Sequence, residues 1–125
     1  MRLLLDTQVY LWYLADSRKV TKKARGEIAS AHEVFVSAAS IWEAAIKADI
    51  GKLTVAIPDL VSGISASGFL ELPVSAAHAA RVMTLPPHHR DPFDRLLTAQ
   101  ALHEPLRLLT ADAVLARYSD LVVLI

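Results

Sequence analysis

The chain contains no cysteine in its 125 residues, which rules out disulfides, thiolate metal sites and thiol nucleophiles together. It also carries no net charge, because thirteen Lys and Arg cancel thirteen Asp and Glu. No global field therefore draws in a polyanion, and any contact with nucleic acid has to be local. No run approaches the roughly 18 apolar residues of a membrane span. Met1-Arg2-Leu3-Leu4-Leu5 begins like a signal peptide, but Asp6 and Gln8 interrupt it before h-region length and no small-residue cleavage site follows. Internal repeats, low-complexity tracts and linkers are missing as well. What remains is the expectation of a cytoplasmic, soluble protein with one domain over residues 1–125, long enough to bury about two-thirds of its unfolded surface.

Apolar residues, by contrast, are plentiful. Their share of 54% exceeds the usual share of about 45–50%, as expected of a sheet buried on both faces or of a surface covered by another chain. Leu3-Leu4-Leu5 is a short continuous run of the first kind. Asp6-Thr7 stops it, and Val9, Tyr10, Trp12, Tyr13 and Leu14 then carry a helical rhythm to Asp16. Residues 17–31 read as a turn and a second helix capped by Thr21. Arg18, Lys19, Lys22, Lys23 and Arg25 make that segment basic, as a solvated face or as a patch for nucleic acid. Val34-Phe35-Val36 predicts a strand, followed by a helix over 38–48 with Gly51 as its stop. Ile57 to Ala66 is a further helix, Phe69 to Leu72 a third strand, and Ser75 to Leu85 an alanine-rich helix. Leu106 to Leu109 and Leu121 to Ile125 are the last strands, with a short helix between them reaching about Tyr118. Strands alternating with helices imply an α/β sandwich around a mainly parallel sheet.

Asp91 precedes Pro92 and reads as an N-cap with proline in the first helical turn, and Asp94 falls one turn above it on the same side. Two acids at a helix N-terminus are accounted for by the dipole alone, at a few tenths to about 1 kcal/mol each. The remaining acids point further. Asp6 follows the first strand, Asp112 follows the fourth, and Glu43 lies in the helix after the second, beside Ala44 and Ala45, which leave room for an approaching group. In a parallel sheet the strand carboxyl ends share one edge, so residues just beyond them converge. Two carboxylates about 5 Å apart repel by roughly 3 kcal/mol at an effective dielectric of about 20. Several together take up protons at raised pKa or recruit a cation. His88 and His89 are adjacent in an extended loop and point apart, so they read as solvated. An all-oxygen set then suits Mg²⁺ or Mn²⁺ over zinc, and such a centre fits phosphodiester hydrolysis.

Leu4-Leu5-Asp6-Thr7, Val36-Ser37 with Glu43 following, Asp91-Pro92-Phe93-Asp94-Arg95-Leu96-Leu97 and Leu109-Thr110-Ala111-Asp112 together resemble the spaced motifs of PIN-domain ribonucleases. More narrowly they resemble the VapC toxins of toxin–antitoxin pairs, over essentially the whole chain. The resemblance implies a three-layer α/β sandwich with a mainly parallel sheet of four to five strands between helices. It also implies Mg²⁺- or Mn²⁺-dependent cleavage of RNA leaving a 5′-phosphate and a 3′-hydroxyl, a homodimer, and inhibition by a small antitoxin. The family's acidic positions carry over onto Asp6, Glu43, Asp94 and Asp112 as metal-holding and catalytic residues. Asp91 is an additional acid, placed as a cap first and a site contributor second. Arg90 and Arg95 flank the acids, either to hold RNA phosphates or to balance local charge. The first helix, through Val9, Tyr10, Trp12 and Tyr13, is expected to line an antitoxin groove or to be a core stripe.

Two rival readings belong to other classes. An acid-pocket phosphatase or phosphotransfer domain would want acids where Thr7 and Gln8 stand. A non-catalytic interaction module binding a basic partner would have no need to keep four crowded acids.

Overall fold

In the computed structural model, which describes residues 1–125, the leucine run forms the central strand of a five-stranded sheet. β1 (Arg2–Leu5) pairs with β2 (Glu33–Ser37) on one side and β4 (Arg107–Thr110) on the other, while β3 (Leu70–Leu72) and β5 (Val122–Leu124) close the edges. Every pairing is parallel, with Leu4 opposite Phe35 and Leu108. Parallel neighbours need crossovers. Helices supply most of them: α1 (Thr7–Leu14), α2 (Lys22–Ser30), α3 (Ala38–Asp49), α4 (Ile57–Ala66), α5 (Ala76–Arg81) and α6 (Pro92–His103). No helix is long and apolar enough to cross a membrane.

The pleat divides the leucines. Leu3 and Leu5 face one core with Val9, Tyr10, Ile28, Val36, Leu60 and Phe69, whereas Leu4 faces the other with Leu97, Ala101, Leu108 and Leu115. A strand with water on neither face has no reason to alternate, so the run is continuous.

Local chemistry sets the helix starts. Asp6 caps α1, its Oδ1 accepting from the Val9 N–H at 2.8 Å, so the helix begins at Thr7. Thr21 caps α2, Ser37 caps α3, and Asp91 caps α6 ahead of Pro92. Two elements differ from expectation. The helix expected to follow Asp112 is only a 3₁₀ turn, Leu115–Arg117, because the short link to β5 anchors one buried side chain, Leu115, and leaves no length for an α-helix. The alanine-rich helix likewise tightens to a 3₁₀ turn, Val82–Thr84, after Arg81.

Of the two readings of the first helix, the core stripe holds for Val9 and Tyr10: they are 0% and 1% exposed, and the Tyr10 hydroxyl donates to Leu60 O at 2.6 Å. Tyr13 packs on Phe69, with ring centroids 5.1 Å apart. Leu11, Leu14 and the following Ala15 are partly or fully exposed and face Val55, Ala56 and Leu60 across an apolar groove of about 270 Å³.

The chain winds from β1 outward to β3, then returns past β1 to β4. The order therefore reverses between β1 and β4, and open α/β sheets bind ligands in the crevice beyond that point.

Candidate active site

That crevice is a cleft of about 330 Å³, lined by Asp6, Thr7, Gln8, Trp12, Glu43, Lys47, Asp91, Asp94, Ala111 and Asp112. All four acids carried over from the sequence line it, although they come from four separate elements or their ends. Asp6 is the most constrained. Its backbone N–H donates to Leu109 O at 3.0 Å, its Oδ1 caps α1, and its Oδ2 accepts from the Thr110 hydroxyl. Thr110 Oγ1 in turn accepts from the Asp112 N–H at 3.0 Å. The end of β4 thereby sets the spacing of the first and last acids.

Asp94 sits in the first turn of α6, above the cap that Asp91 makes to Phe93 N–H and Asp94 N–H at 2.8 and 3.1 Å. Burial pushes its carboxyl up to about 7, with Asp91, Asp6 and Glu43 pushing the same way and His89 pulling against them. Burial also raises the Asp6 carboxyl, partly offset by the bonds from Thr110 and Val9. Glu43 is buried on the second turn of α3, with its side chain 6% exposed and Oε2 2.9 Å from Lys47 Nζ. That bond to Glu43 holds the Lys47 ammonium above its ordinary range. Glu43 Oε1 is buried with no partner.

An orphaned buried carboxylate oxygen costs at least about 1–3 kcal/mol, and here it sits among acids that repel one another. Both observations fit a hard divalent cation. Carboxylate oxygens suit Mg²⁺ or Mn²⁺. At the far end of α6, His103 and Glu104 meet His78 of α5, and the three also bring ligand atoms within 4.8 Å of one another. There the Ser75 N–H donates to His78 Nδ1 at 3.0 Å, so the neutral ring carries its proton on Nε2, which faces Glu104 at 2.5 Å. That group is a hydrogen-bonded pair with a neighbour and not a ligand set.

Two residues stand differently from their sequence reading, and a third carried none. His89, read as solvated, turns its Nε2 to Asp112 Oδ2 at 2.8 Å, with Asp94 Oδ2 at 3.4 Å. Nothing in the local pattern marks it, because its partners lie in α6 and beyond β4. Arg95, a candidate for RNA phosphates, spends its guanidinium on Val82 O (3.1 Å), Pro86 O (3.2 Å), and His89 O and the Tyr118 hydroxyl (both 3.5 Å). It staples the loop before α6 and is not free to bind phosphate, whereas Arg90 is exposed. Lys47 was not singled out, although a Glu–Lys pair four apart on a helix is a readable signal. Lys19 of the basic segment lies 5.3 Å over the Trp12 ring, bringing an ammonium to the cleft rim.

Comparison with known proteins bears on fold and family. The PIN domain family model matches residues 3–121. Ribonuclease VapC22 of Mycobacterium tuberculosis is 32% identical over 112 residues, which cover 87% of this chain and 85% of that protein. The structure of VapBC2 from Rickettsia felis, bound to a DNA fragment from its promoter, is similar with a TM-score of 0.71 at 15% identity, covering 100% of this chain and 98% of its own. VapC20 of Mycobacterium tuberculosis, described as a toxin cleaving the sarcin-ricin loop, gives 0.63 at 15% identity, covering 94% and 97%. At 15% identity these two structures speak for the architecture alone.

Proposed function

The chain belongs to the PIN-domain family, in its VapC branch, and from that premise we propose that it is a metal-dependent endoribonuclease acting as the toxin of a toxin–antitoxin pair. The carrying observation is the unpartnered, buried Glu43 oxygen in a cleft lined by Asp6, Asp91, Asp94 and Asp112. Asp6, Glu43, Asp94 and Asp112 would hold the cation, and Asp91, whose Oδ1 is spent on the cap, adds negative charge at the rim. A bound Mg²⁺ or Mn²⁺ supplies Lewis-acid stabilisation of charge on the phosphodiester and makes water nucleophilic at neutral pH. Asp6 stays fixed throughout by Val9 and Thr110, so the carboxylates need little reorganisation. Lys47 in the lining and Lys19 over Trp12 bring positive charge to a cleft that otherwise repels a phosphate backbone, and Arg90, next in the chain to Asp91, is exposed. RNA as the substrate is supported by the 32% identity to the ribonuclease VapC22.

The partner proposals rest on surface. The groove of Leu11, Leu14, Ala15, Val55, Ala56 and Leu60 would take an apolar segment of the antitoxin. Trp42, Ile46 and Ile50 stand exposed at 62%, 38% and 59% along one side of α3 and its cap, and would face a second copy in a homodimer.

Cleavage of a labelled single-stranded RNA, with and without EDTA, tests the enzymatic reading. Asp6→Asn and Asp94→Asn are each expected to cut the Mn²⁺-dependent rate by about 10²-fold or more, on the scale of removing one electrostatic group from a catalytic site. Folded variants that cleave at the unsubstituted rate, or a rate indifferent to EDTA, would overturn it. Hydrolysis of a small phosphomonoester with no cleavage of RNA would favour the phosphatase class instead.

A further inference from the structure

His89 is held from every side. Its N–H donates to the Tyr118 hydroxyl at 2.9 Å, and its carbonyl accepts from Arg95 Nη1 at 3.5 Å. Its ring is held as well, because the Asp91 N–H donates to Nδ1 at 3.0 Å. A backbone N–H can only donate, so Nδ1 presents a lone pair and the neutral ring carries its proton on Nε2. That nitrogen faces Asp112 Oδ2 at 2.8 Å. A protonated Nε2 has no lone pair for a metal, so the grouping of His89 with Asp94 and Asp112 within 4.8 Å is not a mixed nitrogen–oxygen ligand set.

The other oxygen of Asp112 accepts from the Val114 N–H at 3.0 Å. Both oxygens of this carboxylate therefore have a donor, and the plane of the group is set although it lies on a loop and is 35% exposed. Without the imidazole, repulsion from the other acids would turn Asp112 toward water.

We propose that His89 is a positioning residue: an Nε2-protonated imidazole, locked by the N-terminus of α6, that orients the Asp112 carboxylate beside Asp94 for cation binding. The proposal rests on the reading of the cleft as a cation site. Arg95 and Tyr118 act one step further out, by fixing the loop that carries the ring. Donors behind ligating carboxylates typically contribute about 10–100-fold to metal affinity or activity.

Two measurements on the intact chain test this. ¹⁵N NMR of the histidine side chains in metal-free protein is expected to show His89 with its proton on Nε2, and protonation at Nδ1 would overturn the proposal. Mn²⁺ binding by calorimetry is expected to weaken about 10–100-fold in His89→Leu and to recover most of that loss in His89→Gln, whose amide N–H can reach the same oxygen. Equal Mn²⁺ affinity in the unsubstituted chain and a folded His89→Leu would overturn the positioning role and leave the cation site standing. Absence of Mn²⁺ binding by the unsubstituted chain would overturn the cation reading, and the proposal with it.

Discussion

Asp94 shows how one side chain records the stress of the cleft. Its carboxyl is pushed up to about 7 from an unfolded value near 3.8, so the folded chain binds this proton more tightly than the unfolded chain does. Between those two values the native state holds the extra proton, and stability is lost as pH rises through that window. The metal-free chain is therefore expected to melt at progressively lower temperature from about pH 4 to 7. Asp94→Asn should flatten that slope and melt higher at pH 8, by about 3–5 °C for each kcal/mol of repulsion relieved in a chain of this size. Mn²⁺ should raise the melting temperature of the unsubstituted chain at pH 8 and do less for the variant. Parallel melting curves for the two chains from pH 4 to 8, by circular dichroism, would sink this account. The acid positions themselves were legible, because Asp6 and Asp112 follow strands, Asp94 opens a helix and Glu43 lies in the helix after the second strand, an arrangement a parallel sheet converts into convergence. His89 was not legible, since an imidazole in a loop shows its role only when its hydrogen-bond partners are known.

Helix α6 carries two messages, of which the sequence displays one. Asp91-Pro92 marks its start, and that reading matches the structure, where Leu97 and Ala101 of the same helix pack into the core. The buried polar side chain of Gln100 has no such signature. Its Oε1 accepts from the Ser37 hydroxyl at 2.6 Å, and its Nε2 donates to Pro73 O at 3.3 Å, with His78 Nδ1 also at 3.3 Å. Ser37 Oγ at the same time caps α3 through the Ala39 N–H at 3.0 Å. One amide thus ties the end of β2, the start of α3 and the approach to α5, beneath the helix that presents Glu43. Gln100→Leu keeps the volume but strands the Ser37 hydroxyl and the Pro73 carbonyl, at about 1–3 kcal/mol for each buried orphan. The expected loss is about 2–6 kcal/mol in urea unfolding. A loss under about 0.5 kcal/mol would mean that water or a neighbour satisfies both groups. A periodicity argument sees only which residues avoid water, and Gln100 avoids it for reasons that lie 63 residues away in the chain.

For the molecule as a whole, the topology separates the acid cleft from the apolar groove. Thr7, Gln8 and Trp12 of α1 line the acid cleft, while Leu11 and Leu14 of the same helix line the apolar groove. Leu14→Arg is accordingly expected to abolish co-purification with a co-expressed antitoxin while leaving metal-dependent cleavage within about twofold, a surface-scale effect. Light scattering reads the mass of the lone chain and of the pair. Retention of the antitoxin by a folded Leu14→Arg chain would assign that contact to another surface.

The sequence alone determined the strand–helix alternation, the two-sided burial of the sheet, the capped start of α6 and the oxygen character of the acid set. All of these follow from residue type and near-neighbour spacing, which act before any distant contact forms. The five-stranded parallel sheet agrees with the mainly parallel sheet of four to five strands that the motifs led one to expect, and its order, with β1 at the centre, came from the structure. Only the tertiary structure decided that Val9 and Tyr10 belong to the core, that Arg95 staples a loop, that Glu43 keeps an oxygen without a donor, and that His89 meets Asp112. Each of those outcomes depends on which atoms from remote segments arrive within hydrogen-bond distance, a property of the packed chain and not of any stretch of it.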